Sequence, residues 1–214
     1  MPNRLPADSS KKTIRRALLA KNRSQRPRPR FVKDLQLLGY ERIVGVDEVG
    51  RGALAGPLVV AAVEIYQPIN GINDSKLLTR AKRELLSDLI SQSAKQVRFG
   101  QASNLEIDEL GLAAAQRLAY ERCLDGMSFD LALTDFYALK GIKHLKAIKG
   151  DQLFYPVAAA SIVAKVHRDQ LMSVYHQAHP DYLWADNAGY GTRAHKKALG
   201  SIGPSPLHRQ SFLH

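Results

Sequence analysis

The run Ile43 to Glu48, IVGVDE, ends in two adjacent carboxylates, and a glycine-studded turn, VGRGALAGP, follows at once. A β-branched run reads as a strand, and acids at its end present the hard oxygen ligands that Mg²⁺ and similar ions bind. Glycines beside them let a backbone come close to a phosphate. Like charges side by side repel, so Asp47 and Glu48 gain from a cation. The chemistry indicated is metal-assisted work on phosphate.

Two further acids have comparable settings. Asp135 closes FDLALTD as Asp47 closes IVGVD, so two neighbouring strands would bring both carboxylates to one sheet edge. Asp169 follows Ser161 and Lys165 at i, i+4 and i+8, a polar stripe on a helix otherwise rich in Ala, Val and Ile. Each has a plainer reading: an Asp at a strand end also caps turns, and Lys165 with Asp169 also makes an ordinary helical ion pair. One geometric obstacle stands. Consecutive strand residues point to opposite faces, so Asp47 and Glu48 are expected to share a site only if the strand twists or bulges.

The elements that must position these acids follow from hydrophobic period. Phe31 to Leu38 reads as a short helix, and Arg42 to Asp47 and Pro57 to Tyr66 as the first two strands. Thr79 is expected to cap a helix to about Ala94 with Leu85, Leu86, Leu89 and Ile90 on its inner face. Gln96 to Ala102 reads as a third strand. Asn104 is expected to cap a helix carrying Leu105, Leu112, Ala115, Leu118 and Ala119 inward and ending before Gly126. Phe129 to Asp135 and His144 to Ile148 read as the fourth and fifth strands, and Pro156 to Gln177 as a long helix, with shorter segments closing the chain. Strands first, then strands alternating with helices, describe a mixed α/β sheet with helices on its faces.

Composition narrows the partners. With 214 residues, 45% of them hydrophobic, the chain can bury a real core. The single cysteine, Cys123, excludes an internal disulfide and a thiolate-rich zinc cluster, and points to a reducing cytoplasm. No apolar stretch reaches the roughly 18 residues of a membrane span. The net charge of +11 is unevenly placed: residues 1–33 hold eleven Lys or Arg and one acid, leaving 20 bases and 19 acids for the rest. Residues 1–33 thus read as a basic, disordered arm and 34–214 as the catalytic domain. The arm suits salt-sensitive attraction to a polyanion; an organelle transit peptide or an inert tail are its other readings.

The ordered blocks of the body resemble the type 2 ribonuclease H family, ribonuclease HII. They are DEVGRGALAGP from Asp47 to Pro57, DSK at Asp74 to Lys76, KGD at Lys149 to Asp151, AAASIVAKVHRD from Ala158 to Asp169, GYGT from Gly189 to Thr192, and GPSPLHRQSF from Gly203 to Phe212. The resemblance implies a ribonuclease H-like five-stranded mixed sheet flanked by helices, with a C-terminal helical segment. It implies catalytic, metal-binding acids at Asp47, Glu48, Asp135 and Asp169, with Mg²⁺ or Mn²⁺ as cofactor. Substrate contacts would come from Gly50, Arg51, Gly52 and Tyr190, the last sensing the 2′-hydroxyl, with Lys76 and Lys165 as further candidates. The implied substrates are RNA–DNA hybrids and duplex DNA containing ribonucleotides, the implied setting ribonucleotide repair and primer removal by a monomeric cytoplasmic enzyme.

The chain departs from the family pattern at three places. Phe136 follows Asp135 where relatives carry a small residue, Gln152 to Val157 is bulky, and Ala188 replaces a Lys before GYGT. The rival expectations are a type 3 enzyme, which carries a folded N-terminal substrate-binding domain, and a non-catalytic hybrid-binding module. His195 and His208 are expected to touch substrate or to hydrogen-bond locally, and Cys123 to be buried packing.

Overall fold

The computed structural model describes residues 30–135 and 137–213. Most of the basic arm, including Thr13 to Lys21, which on the transit-peptide reading could form a short amphipathic helix, lies outside the described residues, as does Phe136. The first element, helix α1 (Arg30–Leu37), starts inside the expected arm and buries Val32 and Leu35 against the body.

Five strands form one sheet in the order β3-β2-β1-β4-β5. Strands β1 (Ile43–Val49), β2 (Leu58–Glu64) and β3 (Gln96–Ala102) form an antiparallel meander. Strands β4 (Leu131–Asp135) and β5 (His144–Ala147) add parallel on the far side of β1. The chain reaches β4 through α2 (Arg80–Ser93), α3 (Asn104–Leu110) and α4 (Leu112–Leu124). After β5 come the single turn α5 (Gly150–Leu153), the long α6 (Tyr155–Ala178), the short α7 (Trp184–Asn187) and α8 (Arg193–Ile202).

Every residue of β2 is buried because helices cover both faces of the sheet. Leu58, Val60 and Ala62 pack with Ala115, Ala119, Tyr120 and Cys123 of α4. Ala61 and Val63 pack with Ala158, Ala159 and Ile162 of α6. Each buried Val or Ile contributes roughly 1.5–3 kcal/mol, so these two layers dominate the fold's stability. Gly45 shows how closely α6 lies on β1: a Cβ there would stand 2.0 Å from the Pro156 carbonyl carbon.

Several expectations of detail are corrected. In α2 only Leu86 and Ile90 of the four leucines and isoleucines face inward; Leu85 and Leu89 are exposed and the buried polar neighbour is Ser87. The helix expected from Asn104 is two helices, broken at Gly111, whose φ of 77° leaves the α region. Its cap is Ser103, in a reciprocal capping box with Glu106. Asn104 is buried and donates to the carbonyls of Pro206 and His208, while Leu105 is exposed. Hydrophobic period placed all five strands, but helix ends depended on tertiary partners.

Candidate active site

Strand β1 stays regularly paired through Val49, with Asp47 opposite Ala61 and Glu48 opposite Val60. No bulge brings the two acids to one face. Asp47 continues the odd-numbered face toward α6, where it is hydrogen-bonded to Ser161. Glu48 continues the even-numbered face toward α4, where Gln116 Nε2 donates to it at 3.1 Å and the Tyr120 hydroxyl donates to its other oxygen. Both nevertheless line one cavity of about 480 Å³, because β1 ends there and neither helix closes over the strand end. A regularly paired strand thus delivers both acids to one cavity at the sheet edge, without a bulge.

Asp135 reaches the same cavity from β4. Val46 pairs with Thr134, so the next residues along the parallel register are Asp47 and Asp135. The Gly150 N–H donates to Asp135 Oδ1 at 2.9 Å, presented by Lys149 in the left-handed region at φ 60°. The KGD block is therefore a bracket for a carboxylate. Asp169 is placed differently: Lys165 Nζ holds its Oδ1 at 2.5 Å, and Lys165, not Asp169, lines the cavity with Ser161, Lys76 and Arg83.

The cavity gathers acids and bases, and burial decides how the two adjacent acids behave. Burial pushes the Asp47 carboxyl well above the usual range, the charges of Glu48 and Asp135 push it further, and the Ser161 hydrogen bond only partly offsets them. Glu48 is raised by burial and by Asp135 against the lowering influence of Tyr120 and Arg51. Among the described residues no three His, Cys, Asp or Glu side chains close on a single point as they stand. The donor chemistry still fits a hard divalent ion, since clustered carboxylate oxygens with raised values are stabilised by positive charge.

Opposite the acids stands the glycine loop, with Arg51 and Gly52 exposed. Gly50 is not exposed: its N–H donates to the Tyr190 hydroxyl at 3.2 Å. At φ +88° any added Cβ would lie 2.1 Å from Arg168 Nε, so this position requires glycine. The Tyr190 ring lies under Arg168 and Lys165, at 5.5 and 5.9 Å from its centroid. Loop, tyrosine and acids thus face one cavity.

The comparisons can now be set beside this geometry. The family model described as Ribonuclease HII matches residues 44–214. The chain belongs to the ribonuclease HII family. It is 48% identical over 181 residues to the ribonuclease HII of Cereibacter sphaeroides strain ATCC 17029, covering 81% of this chain and 85% of that one. It is 44% identical over 186 residues to that of Acholeplasma laidlawii strain PG-8A, covering 85% and 92%. Its fold is like that of the PCNA:RNase HII complex structure from Archaeoglobus fulgidus, with a TM-score of 0.70 at 23% identity over 81% of this chain and 96% of that one. Ribonuclease H activity goes with this membership. No helix among the described residues is long and apolar enough to cross a membrane.

Several residues that shape this ribonuclease HII site were not read from the sequence. Gln116 and Tyr120 sit one turn apart on α4, and both serve Glu48. Arg168 and Arg209 are fully buried without a carboxylate partner. Arg168 donates to the carbonyls of Pro57, Ala188 and Ala55 at 2.7–3.0 Å, and Arg209 to those of Gly56 and Arg51 at 2.9–3.0 Å. Together they clamp the loop to α6 and to the C-terminal segment. Ala188, where a lysine was expected, is buried in the left-handed region at φ 48°, and its carbonyl serves this clamp.

His195 and His208 do not face substrate. Both are buried, with their Nε2 atoms 3.0 Å apart. His195 Nδ1 lies 3.0 Å from the Tyr190 carbonyl and must carry the proton there, which leaves its Nε2 to accept from Trp184 Nε1. His208 Nδ1 accepts from the Ser205 N–H, so its Nε2 is the donor to His195. With both rings neutral, His195 Nε2 offers its one lone pair as an acceptor shared by Trp184 Nε1–H and His208 Nε2–H. Cys123 is buried as expected, its thiol pushed up to about 12 by burial.

Proposed function

We propose that this protein is an endoribonuclease that hydrolyses the RNA strand of RNA–DNA hybrids and cuts 5′ to ribonucleotides embedded in duplex DNA. The observation that carries the reading is the single cavity shared by Asp47, Glu48, Asp135, Lys165, Arg51 and Tyr190. Acids on one wall suit divalent cations, and cations with an aromatic hydroxyl on the other suit a sugar-phosphate backbone.

Asp47, Glu48 and Asp135 would hold two Mg²⁺ or Mn²⁺ ions at the cavity edge, while Asp169, paired with Lys165 and off the cavity lining, would act on that site through the lysine. When bound, such ions neutralise charge developing on the phosphate and make a water more acidic. Water adds to phosphorus and the bond to the preceding 3′ oxygen breaks, giving a 5′-phosphate and a 3′-hydroxyl. Arg51 positions the phosphate by charge and reads no base. The Tyr190 hydroxyl already accepts the Gly50 N–H, so its own proton is free to be donated to a 2′-oxygen, an acceptor that DNA lacks. Lys165 sits between Tyr190 and Asp169 and links the recognition wall to the catalytic wall. The same reading makes the protein a monomer of the cytoplasm, acting in ribonucleotide excision and primer removal.

The test is cleavage of a duplex carrying one ribonucleotide, with Mg²⁺ or Mn²⁺, beside an all-DNA duplex. Cutting is expected only at the ribonucleotide and on its 5′ side. Cutting of all-DNA duplex, or none of either substrate, overturns the assignment. Tyr190→Phe is expected to reduce cleavage at single ribonucleotides more than on long hybrids.

A further inference from the structure

Arg51 and Glu48 carry opposite charges on adjoining segments, yet they form no direct ion pair; a neutral amide stands between them. Arg51 Nε donates to Gln116 Oε1 at 3.2 Å, and Gln116 Nε2 donates to Glu48 Oε1 at 3.1 Å. The amide can stand only this way round. Reversed, its NH₂ would meet a guanidinium N–H and its oxygen a carboxylate. Gln116 is 5% exposed, so few other partners are open to it, and Tyr120 fixes the second oxygen of Glu48 from the same helix face.

A direct Arg51–Glu48 bridge would consume both charges. The guanidinium would be less available to a phosphate, and the carboxylate less available to a cation. We propose that Gln116 is a positioning residue that holds Arg51 and Glu48 apart, keeping one charge for the substrate and the other for the divalent ion. The proposal rests on the ribonucleotide-cleaving function above. It adds that α4, which supplies none of the expected acids or substrate contacts, sets the spacing between substrate binding and metal binding.

Gln116→Met keeps the volume and the unbranched stem while removing both hydrogen bonds, and Gln116→Leu serves as a second variant should the first alter folding. Folding of both is checked by circular dichroism and thermal melting. The substrate is the full-length protein's single-ribonucleotide duplex. Binding is read by fluorescence anisotropy in EDTA, and cleavage by titration of Mn²⁺.

The expected result is about tenfold weaker duplex binding in EDTA and about tenfold more Mn²⁺ for half-maximal rate, the size of one to two lost charge-assisted hydrogen bonds. In an Arg51→Ala background, Gln116→Met should weaken EDTA binding no further, because the partner it positions is gone. Equal losses in both backgrounds, or unchanged binding and Mn²⁺ requirement in folded variants, overturn the proposal while leaving the function intact. If the parent protein cuts no ribonucleotide-containing duplex, the function fails and this inference with it.

Discussion

On one side of the Gly50–Pro57 turn, Asp47, Glu48 and Asp135 crowd a cavity edge, where burial and neighbouring negative charge raise the proton affinity of Asp47 and Glu48. On the other side, Arg168 and Arg209 are completely buried, yet each guanidinium nitrogen donates to a backbone carbonyl. Burying any charge is costly unless its hydrogen-bonding capacity is met. The arginines meet theirs within the fold and so fix geometry. Asp47 and Glu48 stay raised despite their hydrogen bonds to Ser161, Gln116 and Tyr120, and so remain receptive to an added cation. The same sheet edge therefore combines a saturated region that holds shape with an unsaturated region that binds.

The largest expected effect tests the unsaturated side. Asp47→Asn should lower cleavage by at least about 100-fold, the scale of removing one preorganised electrostatic group. It should also raise the thermal midpoint at neutral pH. The sign follows from the raised carboxyl: a folded-state value above the unfolded one means that the ionised form destabilises the fold at every pH above that range. A lower midpoint would remove the contrast drawn here.

The saturated side should respond in the opposite sense. Arg209→Met leaves the Gly56 and Arg51 carbonyls without their donor and should destabilise the protein by roughly 3 kcal/mol in urea unfolding. Next comes the histidine pair behind Tyr190. His208 is held down to about 4, chiefly by burial and then by His195, against an ordinary 6.5. Its folded state prefers the neutral ring, so this stability is complete above pH 6.5 and is lost as pH falls toward 4. The difference between parent and His208→Asn in urea melts at pH 7 and pH 5 isolates it; a pH-independent difference would show that the ring is not buried neutral.

The smallest effect belongs to the bridge between the regions. Lys165→Met removes the partly exposed pair with Asp169 and should change stability by less than about 1 kcal/mol. Cleavage should still drop several-fold on long hybrids, read by kcat at saturating Mn²⁺.

What the sequence made legible follows from this contrast. Acids at strand ends announced themselves because carboxylates there are unusual and their strand period was clear. Asp47 and Glu48 were even assigned opposite faces; of the twist or bulge named as the condition for a shared site, the bulge is absent, since β1 stays regularly paired and both acids still line one cavity. The saturated residues were silent. Arg168 beside Asp169 reads as solvated charge, and Gln116 among alanines reads as a surface position, because their burial depends on segments far away in the chain. His195 and His208 lie 13 residues apart, and no local pattern couples them. The break at Gly111 was hidden because apolar spacing continues across it.

The parallel pairing of β1 with β4 has a consequence for how this protein comes into being. Its antiparallel meander can assemble from neighbouring sequence, but Asp135 joins Asp47 only after roughly ninety intervening residues have been gathered in, a slow kind of closure. Arg209 arrives later still along the chain. A refolding chain is therefore expected to pair the local hairpin before it assembles the site. Recovery of activity is expected to lag recovery of β-sheet signal after dilution from urea, because the acids of β1 and β4 meet only through that long-range pairing.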